Sequence, residues 1–429
     1  MVRNPYVTGS YVSGRRHYGR RDLIDDLLDG AGRAYWVVGC RRAGKTSLLR
    51  QLEHLTALDS RRRYVPLYWD MQGGSTYAAL GGYLADAVRD CEERFASLGV
   101  SLDRLAEEDA VETLAVLRRA VMRSGAQLLL LCDETEVLIE FARRDPASAQ
   151  ALHRQLTGGA GLRAIMVSTR SIYGLHEACE DWPTSPFLAG FDMSPALGGL
   201  TQPEAGELIT QSQAPAGGAV RAAPAVIEQI GEHANTHPYL MQILCSRLFR
   251  TDGTLRPPGP EDLQVDPTLA GFLRYDFAAL APQERELIWR VHDKGRMSDE
   301  ELDGPGGEMR RRAQELERLG HLRRVRGYLT IGNTFLSNWL SAERSGLGAA
   351  PAQSASDLAM RAASSGREQR DAEYLIAQLN AQRQRLVELE LRRSRELLAT
   401  APAALAEIEQ VQSEIGQLRK LLERAHHAG

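Results

Sequence analysis

Five stretches of this chain are apolar enough to be buried strands, and amphipathic stretches lie between them. The first is Ala34–Val38, followed by a glycine-bearing loop and then Ser47-Leu48-Leu49-Arg50-Gln51-Leu52, whose leucines fall on a helical spacing. Residues 63–70 are the second, and Pro66 marks an irregular or edge position there because proline cannot donate to a ladder. Residues 127–134 and 162–170 are almost unbroken apolar runs that finish in polar residues. That is the pattern of a parallel strand buried on both faces with its carboxyl end exposed. Residues 192–200 predict a weaker fifth strand. Helices are expected over 77–98, 109–124 and 147–156, and Leu23, Leu27 and Leu28 give one face of a short early helix begun at Asp22. Strands alternating with helices predict an α/β sandwich over residues 1–200, with any ligand at the carboxyl ends of the strands.

The pattern then becomes helical over 201–256, opened by the capping-box spacing Thr201-Gln202-Pro203-Glu204. The Pro257-Pro258-Gly259-Pro260 cluster reads as a linker. Within 262–344, three helical stretches at 282–289, 298–302 and 308–319 precede a ribbon over 321–331 that turns at Gly327, which is the order of a winged helix. Residues 345–366 are rich in Ala, Ser and Gly and predict a flexible linker. Beyond it, 367–427 predicts two long helices broken at Thr400-Ala401-Pro402. Ile408, Val411, Ile415, Leu418 and Leu422 form a coiled-coil seam on the second, and Leu375, Leu379, Leu386 and Leu397 a looser one on the first. An antiparallel hairpin that buries this stripe within the chain or in an oligomer is expected.

Composition narrows the setting. With 429 residues and 43% hydrophobic content there is material for two or three cored domains, and a formal charge of −4 gives no global pull toward nucleic acid or an anionic membrane. The five cysteines are scattered, without Cys-x-x-Cys or Cys/His ligand spacing, which suits a reducing compartment. No apolar signal region opens the chain and no run of about 18 apolar residues follows. A soluble cytoplasmic protein without membrane contact is the expectation.

The strongest chemistry lies in Gly39-Cys40-Arg41-Arg42-Ala43-Gly44-Lys45-Thr46, a G-x-x-x-x-G-K-[ST] pattern between strand and helix. Such a loop wraps a phosphate in backbone N–H groups at a helix N-terminus, so residues Gly39 to Ser47 are expected to bind nucleotide. Lys45 would reach the β/γ-phosphates and Thr46 would ligate Mg²⁺. Lysine occurs elsewhere only at positions 294 and 420, so its use at 45 suggests that a compact ammonium is needed. At the end of the third strand, Asp133 is assigned to the metal and Glu134 to the water that attacks the γ-phosphate. Arg170, at the end of the fourth strand, is a candidate γ-phosphate sensor or else a surface arginine. His237-Pro238 starts a helix, with proline favoured at the first position, and is a candidate for the adenine site. Arg310, Arg311, Arg312, Arg318, Arg323, Arg324 and Arg326 could touch DNA phosphates, although Glu308, Glu315 and Glu317 are interleaved with them.

With these residues in hand, the chain resembles the bacterial AAA-like P-loop ATPases of the STAND class and the related archaeal-type ATPases over roughly residues 4–342. The likeness rests on Asn4-Pro5-Tyr6, Tyr18-Gly19-Arg20, the loop at 39–46 (Walker A), Asp133-Glu134 (Walker B), Thr169-Arg170 and His237-Pro238-Tyr239 before a winged helix. The resemblance implies a three-layer αβα nucleotide-binding domain, a helical lid and a winged helix closing over ATP or ADP with Mg²⁺. It places Arg20 near the base, Arg170 as the strand-end sensor and His237-Pro238 along the adenine. Between Ser171 and Leu200, where ring-forming motors carry an inter-subunit arginine finger, there is no Arg or Lys. The expectation is therefore a slow ATPase that works as a signalling switch. It would pass its nucleotide state to an effector or sensor protein through the C-terminal hairpin, with a nucleotide-dependent homo-oligomer as one outcome and antiviral defence as one setting. The alternative is a DNA-associated ATPase of the origin-recognition or transposition-regulator kind, using its winged helix.

Overall fold

The computed structural model describes residues 2–345 apart from 62, 75, 102–104, 106–108, 180, 181, 183–185, 195, 216, 217 and 303–306. The linker expected at 345–366 lies outside them but for Ser345, and the hairpin expected at 367–427 lies wholly outside. Strands β1 (Ala34–Val38), β2 (Tyr64–Asp70), β3 (Gln127–Asp133), β4 (Leu162–Ser168) and β5 (Asp192–Met193) form one sheet in the order β2-β3-β4-β1-β5. Every pairing is parallel. Pro66 is thus tolerated because β2 is an edge strand. The weak fifth strand is shorter than 192–200 and is extended only by an isolated bridge between Gly39 and Leu197.

Helices cover both faces, which is why the strands have no polar side. Around β1 to β4 lie α1 (Arg21–Asp29), α2 (Lys45–Ala57), α3 (Tyr77–Arg89), α4 (Glu92–Ala96), α5 (Ala110–Arg123), α6 (Val137–Arg144), α7 (Pro146–Thr157) and α8 (Gly174–Ala178). Leu128 and Leu130 of β3 join one core with Leu84, Leu117 and Leu152, while Leu129 and Leu131 join the opposite core with Leu27, Leu48 and Leu52. The period-two alternation of a strand therefore feeds two helical layers. The helix expected over 77–98 is interrupted at Cys91, whose φ of −128° and ψ of 34° are not helical, and the break sets Phe95 fully into the core.

The remaining described chain is helical with one ribbon. It comprises α9 (Gln202–Thr210), α10 (Pro224–Ala234), α11 (Pro238–Leu248), α12 (Pro267–Ala278), α13 (Pro282–Lys294), α14 (Glu308–Arg318), β6 (Leu322–Val325), β7 (Tyr328–Ile331) and α15 (Thr334–Arg344). The capping box forms as its spacing predicts, with Glu204 accepting from the Thr201 N–H at 2.9 Å. Strands β6 and β7 pair antiparallel, and their turn uses positive φ at Arg326 and Gly327. Ile230, Leu244, Leu269, Ile288, Leu316 and Phe335 share a single core, so burial runs across the proline cluster at 257–260 without a break. Tyr6 and Tyr18 of the N-terminal segment are buried in that same core. Among the described residues, no helix is long and apolar enough to cross a membrane.

Candidate functional site

The loop after β1 is held from both sides. Its first glycine donates to Ser168 O at 3.0 Å, and a Cβ on Gly39 would stand 2.9 Å from Leu197 Cβ and 3.0 Å from Leu197 O. Close backbone approach is what requires glycine there. At Gly44 the reason differs, because a Cβ would meet nothing within 4 Å but φ is +97°. That angle ends the loop and starts α2 at Lys45, which aims the free N–H groups of the first turn into the cleft. Lys45 Nζ folds over the loop and donates to Gly39 O at 3.2 Å and Cys40 O at 3.0 Å.

This loop forms one wall of a cavity of about 530 Å³. Arg41 to Ser47, with Glu134 and Thr169, line the sheet side. Opposite stand Pro238, Tyr239 and Gln242 of α11 and Gly271, Phe272 and Tyr275 of α12. The N-terminal segment closes a third side and is tied to both walls, since the Val12 N–H donates to Ser47 Oγ and the Val7 N–H to Gln242 Oε1, each at 3.1 Å. Two loop arginines reach across the cleft. Arg41 stacks on the Tyr275 ring at 3.9 Å and Arg42 on the Tyr239 ring at 4.4 Å, contacts that combine cation–π attraction with apolar burial. Arg20 also lines the cavity; its guanidinium donates to Gly199 O at 3.0 Å and to Gly198 O, and burial lowers it to about 10 against the opposing pull of Glu204. A cleft walled by Lys45, Arg41, Arg42 and Arg20 and floored by helix N–H groups favours an anion.

The acid pair at the end of β3 divides as its geometry dictates. Asp133 is buried and does not line the cavity; its Oδ2 accepts from Tyr68 Oη at 2.9 Å and its Oδ1 from the Glu134 N–H at 3.0 Å. Burial, then the charge of Asp133, pushes the Tyr68 hydroxyl well above its ordinary range, so it stays a donor. Glu134 takes the left-handed conformation, φ +51°, which turns its carboxylate into the cavity. Its carboxyl is raised by burial and by the charges of Glu136 and Asp133, against Lys45 and Arg41. A raised carboxylate beside an anion site is suited to proton acceptance. Thr46, which lines the cavity, and Asp133, which does not, are hard oxygen donors of the kind Mg²⁺ takes.

Besides Asp133, four expected residues, Gly39, Cys40, Arg170 and His237, do not line this cavity, and Cys40 borders a second, smaller one. Arg170 does not line the cavity; it forms a two-pronged pair with Glu284 of α13, Nη2 to Oε1 at 2.8 Å and Nη1 to Oε2 at 3.1 Å, with Glu315 Oε1 3.8 Å from its Nε. His237 is the N-cap of α11 and borders the same smaller cavity, while its neighbours Pro238 and Tyr239 face the large one. Burial lowers His237 to about 3, so its ring is neutral. Helix α12, which supplies Phe272 and Tyr275, is not among the helices expected above. Its signal was Asp266-Pro267, an N-cap followed by proline at the first helical position; the Asp266 side chain accepts from the Leu269 N–H.

Fold and site together define a P-loop NTPase α/β domain. No protein-family model matches the chain, and no curated protein does. Among solved structures it is similar to the Walker-type ATPase of Pyrococcus abyssi, with a TM-score of 0.55 at 13% identity over 78% of this chain and 99% of that one. The ORC2 protein of Aeropyrum pernix in its ADPNP–ADP complexes is matched at 14% identity over 76% and 92%, TM-score 0.41. Cdc6p from Pyrobaculum aerophilum is matched at 12% identity over 79% and 97%, TM-score 0.35. At these identities the likeness is one of fold, and of these three the first alone has a TM-score above 0.5.

Proposed function

We propose that the chain binds ATP and ADP with Mg²⁺ and hydrolyses ATP slowly, as a switch of the STAND type that changes conformation or assembly with nucleotide state. The observation that carries this reading is the composition of the cavity wall. Phosphate-binding groups come from the loop at 39–47, and the facing wall comes from α11 and α12. A nucleotide held there would touch the sheet domain and the helical region at once, so a second arrangement of that wall would differ from this one in its affinity for ATP and ADP. In this reading α9 to α11 are the lid, and α13, α14 and the ribbon are a winged helix. Asp133 and Thr46 would hold Mg²⁺, which supplies charge neutralisation at the phosphates, and Glu134 would orient the attacking water. Residues 367–427 would carry the output to an effector or to further copies of the chain, in a setting such as bacterial defence.

The test is the identity of the nucleotide that co-purifies, read with the mass of the particle before and after exchange to ATP. Retained ADP with a change of mass or shape on exchange supports a switch. Rapid turnover with no retained nucleotide would instead describe a motor.

A second reading is favoured by the ribbon tip, where Val325, Arg326 and Tyr328 are exposed and Arg296 stacks on Tyr328 at 4.4 Å. It would be a DNA-associated ATPase of the origin-recognition or transposition-regulator kind, with the ribbon on the duplex. Against it, Arg324 is already paired with Asp299 and Glu317, Arg312 with Glu308, and Arg323 donates to Glu232 O. DNA binding that weakens with salt and with Arg326→Glu would carry this reading, and no binding at low salt would remove it.

A further inference from the structure

Cys40 occupies the second position of the phosphate loop, yet its side chain turns away from the large cavity. Its Sγ lies 3.6 Å from His321 Nε2 and 3.5 Å from Leu319 O, on the turn between α14 and β6. His321 Nε2 in turn lies 3.6 Å from Asp276 Oδ2 on α12. The three donor atoms are all within 4.8 Å of one another, and Cys40 and His321 are buried. Three donors of different type, from three separate elements, converge where an apolar interface would otherwise be expected.

Two edges, Cys40 to His321 and His321 to Asp276, each 3.6 Å, match those of a tetrahedral ion, and the third is within 4.8 Å. Bonds of about 2.3 Å to sulfur and about 2.0–2.2 Å to nitrogen and oxygen, at tetrahedral angles, give donor–donor edges of roughly 3.3–3.6 Å. Beside the donors is a small cavity of about 20 Å³, room for one small ion or one water. His237 borders it with a buried Nδ1 that has no hydrogen-bond partner. The donors are fixed by backbone: the His321 N–H donates to Leu316 O at 2.9 Å, and His321 O accepts from the Gly332 N–H at 2.7 Å. Nearby positive charge on Arg170 is offset by its pair with Glu284.

We propose that Cys40, Asp276 and His321 form a site for one borderline-soft divalent transition ion of the zinc class, joining the phosphate loop to α12 and to the turn before the ribbon. Thiolate and imidazole select zinc or cobalt over magnesium, which takes oxygen donors. The fourth position faces the small cavity, where a metal-bound water would meet His237. The ion is separate from the Mg²⁺ of the nucleotide, whose donors are oxygens.

The test uses the full chain, stripped with chelator and titrated with Co²⁺. One equivalent should produce a sulfur-to-cobalt charge-transfer band together with the intense visible absorption of tetrahedral cobalt, and Zn²⁺ but not excess Mg²⁺ should displace it. Cys40→Ser should abolish the charge-transfer band. His321→Ala and Asp276→Asn should weaken cobalt binding at least tenfold, with folding of each variant checked by circular dichroism. The charge-transfer band separates this site from ions bound by carboxylate or imidazole alone. No such band in the wild type, an unchanged band in Cys40→Ser, or displacement by Mg²⁺ would overturn the proposal and leave a sulfur–imidazole hydrogen bond only.

Discussion

Replacing Arg170 separates two roles that its position at a strand end could serve. In the structure it is a strut, with two charged hydrogen bonds to a Glu284 whose side chain is only 7% exposed. Charged hydrogen bonds contribute about 1.5–3 kcal/mol each, and breaking a buried pair costs about 3–5 kcal/mol because one charge is left unpaired. Arg170 itself is 27% exposed, so water softens the loss, and Arg170→Ala should cost about 2–4 kcal/mol. Glu284→Gln is the matched change, since Gln can still accept from the Ala281 N–H that Glu284 caps at 2.9 Å. The double variant should cost less than the sum of the singles by about 1.5–3 kcal/mol. Urea unfolding followed by tryptophan fluorescence and by far-UV circular dichroism measures this, with coincident transitions required before fitting. Nucleotide affinity of Arg170→Ala should stay within about threefold of wild type, because Arg170 does not line the cavity. A coupling below about 0.5 kcal/mol, or a tenfold loss of affinity at unchanged stability, would refute the strut and restore the phosphate sensor.

Gly44→Ala should weaken nucleotide binding at least tenfold and destabilise the fold by about 1–2 kcal/mol, since φ +97° strains any side chain although space is open, and calorimetry with thermal melts reads both. Glu134→Gln should abolish steady-state hydrolysis while retaining ATP. In the wild type, kcat/KM should fall as pH drops through a midpoint above the ordinary glutamate range, because burial and the neighbouring acids raise this carboxyl and only its ionised form accepts a proton. A pH profile with no acid limb there would contradict that role. Tyr68→Phe should leave the fold intact but raise the Mg²⁺ concentration needed for half-maximal turnover several-fold, because Asp133 loses the 2.9 Å hydrogen bond that orients it.

The sheet was legible because its strands are buried on both faces, and a run such as Leu128-Leu129-Leu130-Leu131 has no other stable home. The loop at 39–46 was legible because its two glycines answer to local demands, one to Leu197 and one to φ. What the sequence left open depends on distant partners. Arg170 meets an acid 114 positions away, and no spacing rule indicates that it would turn to α13 rather than to the phosphates. The role of the N-terminal segment as a third wall was hidden in the same way, since Val7 and Val12 contribute backbone N–H groups whose acceptors lie on α11 and α2. Helix α12 carried its signal in Asp266-Pro267, and α15 likewise begins at a capping Asn333. Both were overshadowed by the stronger pattern of 282–331.

The proposed switch depends first on whether the loop at 39–46 holds the phosphates of a nucleotide. Calorimetric titration of ADP and ATP with Mg²⁺ into nucleotide-stripped wild type and Lys45→Ala tests it directly. One nucleotide per chain is expected in the wild type, and at least a tenfold loss in Lys45→Ala with unchanged circular dichroism. Absence of binding in the wild type, or equal affinity in the variant, would contradict it.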